Sequence, residues 1–333
     1  MTERYTTALS DPVETAQPVA ETTGRMSKIG RLKQRLGRST ALQQLASSRL
    51  SVTEDNNSGI TADLHPGTDP EPSKVSDYET ETREEAAEEK LHREDLVRPT
   101  PKEQALLSGN IVREEFRGGG QHYVELDNGE AGLYWPDMNT TGGKYRNERA
   151  TYLVDRAWQF GLVPTTVMRE VTYKYGKKDT VSFQEYIPDA IDSREIKDFE
   201  AAEQFYNDFY KLWILNYSIW NTDPHKGNVI ATDRLYAIDH EHAFWENSNR
   251  WRHSFMDIYI LGASAPKDVI AAAEIFLSDK VRQEVLEEQL KEALQCPDHI
   301  IQACLARMIH VAEILTTKGR IETLEELSEY SPN

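Results

Sequence analysis

The aromatic residues are spread so unevenly that they decide where this chain can build a core. The sequence holds 9 Phe, 15 Tyr and 6 Trp, yet only Tyr5 and Tyr78 fall in the first hundred residues. A segment that poor in large apolar groups cannot offset the entropy of ordering its backbone. Residues 1–100 therefore read as a disordered tail, and the folded part begins near Pro101. The tail is charge-blocked. From Arg25 to Leu50 it carries seven basic residues and no acid, with Ile29, Leu32 and Leu36 spaced for one helical face. That stretch suits an acidic partner or an anionic membrane surface, although Gly30 and Gly37 weaken a helix there. From Glu54 to Asp95 the charge reverses into a solvating linker, helical near its end.

A formal charge of −18 excludes general nucleic-acid binding, which needs a basic footprint. No apolar run approaches the length of a bilayer span, and the opening "MTERYTTALSDPVE" lacks a signal peptide's apolar core, so the expectation is a chain that is not transmembrane. Two isolated thiols, Cys296 and Cys304, make no disulfide framework, which points to the reducing cytoplasm.

Beyond Pro101, "GNIVREEF", "QHYVELDN" and "EAGLYWP" predict three strands separated by "RGGG" and by a turn at Asn128-Gly129. The helix "KYRNERATYLVDRAWQFG" follows, ended by Gly161, and two more strands lie in "VPTTVMREVTYKYG" and "DTVSFQEYIP". After Pro188 the chain turns helical. "FEAAEQFYNDFYKLWILNYSIW" is apolar on more than one face and so buried, and two or three helices follow between Lys267 and Glu329. The expected fold is α+β in two lobes: a small antiparallel sheet with one helix over 101–187, then a mostly helical lobe over 188–333.

Between these helices lies "NTDPHKGNVIATDRLYAIDH", from Asn221 to His240. Asp223 and Asn228 have the D-x-x-x-x-N spacing of a kinase catalytic loop, and Asp239 ends the second of two short strands. Phosphoryl transfer needs an orienting carboxylate, oxygen ligands for a metal and a cradle for phosphates. In that reading Asp223 addresses the acceptor hydroxyl, while Asn228 and Asp239 hold Mg²⁺ or Mn²⁺. The plainer alternative is an Asp-Pro turn with an Asx-type cap. His225, His240 and His242 cluster near this stretch, and a zinc site built from them is the weaker reading.

These residues resemble the atypical kinases of the HipA-like and phosphatidylinositol 3/4-kinase-like group, including small bacterial members. "NTDPHKGN" and "AIDHEHAF" resemble that family's catalytic and metal loops, "YRNERATYLVDRAWQFGLVPTTVMREV" its helix and following strand, and "SFQEYIPDA" its hinge. The resemblance spans about residues 108–245. It implies ATP between the lobes, with Gly118, Gly119 and Gly120 over the phosphates and the backbone of Gln184, Glu185, Tyr186 and Ile187 against adenine. It also implies that His225 braces the catalytic loop and that Glu148 pairs with a phosphate-binding lysine.

That lysine is missing. The family's third strand ends near a Lys, where this chain has Trp135 in "GLYWP". Lys144, one helical turn before Glu148, is the leading substitute, with Arg117 and Arg146 next. The expected activity is ATP- and metal-dependent phosphate transfer to a hydroxyl acceptor, with protein Ser/Thr leading. The alternatives are a pseudokinase that binds nucleotide without transfer and a relative that transfers AMP.

Overall fold

The computed structural model describes residues 74–118, 120–136, 144–173, 176–196, 203–244, 254 and 256–330. The basic stretch from Arg25 to Leu50 lies outside the described residues, as do Gly119 and the side chain of Lys144. Five strands, β1 (Ile111–Phe116), β2 (His122–Leu126), β3 (Ala131–Tyr134), β4 (Thr166–Tyr173) and β5 (Lys177–Glu185), make one antiparallel sheet in the order β1-β2-β3-β5-β4. Alternation along the strands gives the sheet two faces. Val124, Leu126, Tyr134, Val167, Val171, Val181 and Phe183 form a core on one face, covered by Leu106. The opposite face carries the row Tyr123, Leu133, Gln184 and Thr166, set by the registers between their strands. Gly132 is required where β3 crosses Phe183, because a Cβ there would stand 2.2 Å from that ring.

Two helices precede the sheet, α1 (Lys74–Val97) and α2 (Pro101–Ser108). The folded unit thus starts before Pro101, within the range read from sequence as tail. Helix α2 is not among the elements expected from the sequence, and "TPKE" starts it: Thr100 accepts from the Glu103 N–H, the Glu103 carboxylate accepts from the Thr100 N–H, and Pro101 occupies the first turn. The Glu103 carboxylate is buried. It holds Arg149 at 2.7 Å and Arg156 at 3.1 Å, both on helix α3 (Lys144–Trp158). Burial alone would raise its pKa, but the Thr100 N–H and the two guanidinium groups together hold it below the usual value. Arg156 also donates to the carbonyls of Leu96 and Arg98, tying the end of α1 to α3.

The rest is mostly helical: α4 (Tyr206–Ser218), α5 (Asp257–Ile260), α6 (Lys267–Ser278), α7 (Lys280–Leu294) and α8 (Asp298–Lys318). A second small sheet pairs β6 (Ile191–Asp192), β7 (Val229–Ala231) and β8 (Leu235–Ala237). The α+β class, an antiparallel sheet with a mostly helical remainder, is as the sequence predicts. Helix α3 differs in its allegiance. Its Ala150, Leu153, Val154, Ala157 and Trp158 join the core of the helical half, not that of the sheet. Trp158 is fully buried, stacks on Phe160 and donates to Ser218 Oγ. Helix α3 also ends earlier than Gly161 suggests, at Trp158, with Gln159 taking the left-handed conformation. Among the described residues, α8 is the one helix long and apolar enough to cross a membrane, contrary to the expectation that no such run exists. It packs in the helical core, where buried Arg307 donates to Ser218 O and lies over the Trp220 ring.

Candidate functional site

The loop after α4 is built from backbone hydrogen bonds made by asparagine side chains. Buried Asn221 donates to Asn216 Oδ1 and accepts from the Asp223 N–H, which fixes the start of the loop. Asn228, also buried, sends Nδ2 to two carbonyls, Asp223 O at 3.1 Å and Asp239 O at 3.3 Å. One side chain thereby joins the catalytic-type loop to Asp239, two residues past the end of β8 rather than at its end as the sequence suggests. Backbone bonds from Ile238 N to Asn228 O and from Thr222 N to His242 O close the same junction. Three residues around it, Trp220, Asp239 and Phe244, have positive φ of 50°, 61° and 57°. Non-glycine residues avoid that region, and such strain persists only where the surroundings enforce it.

The junction fits a divalent cation. With Nδ2 engaged twice, the Asn228 amide leaves Oδ1 as its oxygen for a ligand. The Asp239 carboxylate opens to solvent and makes no hydrogen bond or ion pair among the described residues. The protein packed around it raises its pKa, and the carboxylates of Glu148 and Glu241 add to that, against the pull of His240 and His242. A site that crowds carboxylates without a cation is relieved by a metal ion, and two protein oxygens suit Mg²⁺, which keeps waters and phosphates as its other ligands. No group of three or more His, Cys, Asp or Glu among the described residues is placed to hold a metal.

Asp223 stands at the loop's mouth, half-exposed. Its carboxylate lies 3.4 Å from His225 Nε2, and its carbonyl accepts from the His225 N–H. The His225 ring lies over Gly227, where a Cβ would come within 2.9 Å of it. Both side chains of this ion pair are open to water, so it contributes at most about 1 kcal/mol.

Glu148 is on α3, as expected, but its partner is different. Its Oε1 accepts from the His240 N–H at 2.5 Å and its Oε2 lies 3.0 Å from His240 Nδ1, with the His240 ring buried. The neighbouring Asn147 donates to the carbonyls of Glu241 and Ala243. Sequence reasoning assigned no role to Asn147, Asn221 or Glu148's grip on His240. Asn221 stood in the quoted motif, whereas the partners of Asn147 and Glu148 are more than ninety residues away and leave no local signal.

The cations proposed to replace the lysine are placed as follows. Arg146 is directed away, donating to Ala293 O on α7. Arg117 lies over the rings of Tyr123 and Tyr186, 4.3 and 5.2 Å from their centroids, on the sheet face opposite the Leu106-covered core. Trp135 follows β3, exposed, with its ring beside Gly120. Gly118 and Gly120, at φ of 82° and 85°, build a tight hairpin turn that Arg117 and Gln121 close. In the hinge stretch the Gln184 side chain donates to Thr166 Oγ1, and Glu185 accepts from the Thr165 N–H and pairs with Lys102. These two side chains are structural. The Glu185 and Tyr186 amides already donate to Thr165 O and Ala131 O, so they are not donors for adenine; Tyr186 instead presents its ring, and Ile187 is half-buried. A cavity of about 590 Å³ lies elsewhere, behind α3 between α2, β4 and α7, and holds none of the loop residues.

No family model and no curated protein matches the chain. Among solved structures it is similar to a Golgi casein kinase, at 14% identity and TM-score 0.40, over 65% of this chain and 76% of that one. It is similar to a hydra Fam20 with sugar, at 13% identity and TM-score 0.38, over 72% and 95%. A third similarity is to WaaP in complex with acyl carrier protein, at 14% identity and TM-score 0.25, over 67% and 95%. At these scores the functional reading rests on the geometry of the site.

Proposed function

We propose that the chain is an atypical kinase that transfers the γ-phosphoryl group of ATP to a hydroxyl, with protein Ser/Thr as the leading acceptor. The observation that carries this is the Asn228 bridge, which brings the Asp223 loop and Asp239 into one site. In this reading Asp223 orients the acceptor hydroxyl and takes its proton as the acceptor oxygen bonds the γ-phosphorus and ADP leaves. Asn228 Oδ1 and the Asp239 carboxylate would hold Mg²⁺ or Mn²⁺. That ion would supply charge neutralisation on the nucleotide phosphates. The face bearing Tyr123, Tyr186 and Arg117 would receive the base. The HipA-like and phosphatidylinositol-kinase-like affiliation is supported by the quoted motifs alone.

A pseudokinase is the second reading. Trp135 at the lysine position and the engagement of both Glu148 oxygens by His240 favour it. Incubation with γ- and α-labelled ATP separates the readings. Kinase activity predicts γ-label on the chain or an added protein substrate, lost in Asp223→Ala. Incorporation of α-label alone would show AMP transfer, and no label from either, with nucleotide binding intact, would favour the pseudokinase.

A further inference from the structure

We propose that Glu148 is a positioning residue that sets the orientation of the metal ligand Asp239, in place of its expected pairing with a phosphate-binding lysine. This rests on the reading of Asp239 as a ligand.

The peptide unit between Asp239 and His240 is held at both ends. Its carbonyl oxygen accepts from Asn228 Nδ2 at 3.3 Å, and its N–H donates to Glu148 Oε1 at 2.5 Å. Holding both ends of a planar peptide restrains its plane, directly after a residue whose φ is 61°. An Asp left to itself prefers negative φ, and returning there would re-aim its carboxylate. The second oxygen, Oε2, reaches the buried His240 ring, and Asn147 takes the next carbonyls, at Glu241 (3.0 Å) and Ala243 (2.9 Å). The first turn of α3 thus grips the whole stretch from His240 to Ala243. Both carboxylate oxygens of Glu148 are engaged in this grip. The apolar side of α3 belongs to the helical core that also holds Ala237 and Ala243, so helix and loop rest on one packed foundation. Glu148 therefore has a complete set of partners without a lysine, in a chain that carries Trp135 where the lysine is expected.

The test is binding of Mn²⁺ to the full-length protein, followed by loss of the free-ion electron paramagnetic resonance signal, with and without a non-hydrolysable ATP analogue. Asp239→Ala should lose the site. Glu148→Asp keeps the charge but falls short of the His240 N–H by one methylene, and should weaken Mn²⁺ binding at least tenfold. Glu148→Ala should do the same. Glu148→Gln keeps an acceptor oxygen for that N–H and should bind within about threefold of the parent. Parent-like binding in Glu148→Asp and Glu148→Ala would overturn the proposal, and so would loss in Glu148→Gln equal to that in Glu148→Ala, since the effect would then be one of charge. If Asp239→Ala binds like the parent, or the parent binds no Mn²⁺, the ligand reading itself fails and takes the proposal with it. The Asp variant, the least disruptive to folding, decides the matter if Glu148→Ala does not fold.

Discussion

Asp155 should make the protein lose stability as the pH rises from about 4 to about 6, and Asp155→Asn should remove that slope. The residue ends in the core, 1% exposed, where its two oxygens accept from the Leu162 and Val163 N–H groups. Burial pushes its pKa from 3.8 up to about 6, against those two N–H groups, Arg234 and His240, which favour the anion. Between these two values the folded state binds a proton that the unfolded state has released. Raising the pH across that window therefore favours unfolding. A gap of about 2 pH units at about 1.4 kcal/mol each gives about 3 kcal/mol, absent below pH 3.8 and fully present above pH 6. Asparagine does not titrate, so urea unfolding of parent and Asp155→Asn from pH 3.5 to 7 isolates the group. The variant's constant offset, from presenting an NH₂ to one N–H, does not affect the slope. The parent-minus-variant difference should fall by about 3 kcal/mol over the range. A flat difference, or one that rises with pH, would refute the reasoning.

Glu103→Ala should cost about 3 kcal/mol, because it strands Arg149 and Arg156 and removes the capping box, and a thermal melt should fall by several degrees. The depressed Glu103 pKa adds stability that is present above the ordinary carboxylate range and lost as the pH falls through the folded value, so parent and variant should converge in acid. Deleting residues 1–73 should leave the melting temperature within about 2 °C, whereas deleting 1–99 should lower it further. The longer cut removes the carbonyls that Arg156 binds and the contacts of His92 and Arg93 with Asp279, Glu284 and Glu288. Trp135→Lys should raise γ-label transfer if the missing cation limits turnover, and Lys144→Met should lower it tenfold or more if Lys144 supplies that cation. No change in either would leave Arg117, on the same sheet face as Tyr123 and Tyr186, as the cation to test.

The strands and long helices were legible because their signals are local: alternation in "HYVEL" and "AGLY", turns at glycines, and a dense apolar run in α4. So was the spacing of Asp223, Asn228 and Asp239, and the structure brings these three elements together through Asn228. Helix α1 was visible only as a helical tendency at the end of a charged linker, because nothing local shows that His92 and Arg93 find acids on and before α7. Strand β6 has two residues, too short for any pattern, and exists because β7 offers it an edge. Glu148 was placed correctly on its helix, but its partner is a backbone N–H set by tertiary packing. The family pattern suggested a lysine, and the geometry supplies His240.

The most direct test of a phosphoryl-transfer site is a crystal structure with Mn²⁺ and a non-hydrolysable ATP analogue, using the anomalous signal of manganese to locate the ion. The account predicts an anomalous peak about 2.2 Å from the Asp239 carboxylate and Asn228 Oδ1, with the γ-phosphate between that ion and Asp223. Nucleotide bound away from these residues, or manganese liganded by neither Asp239 nor Asn228, would contradict it.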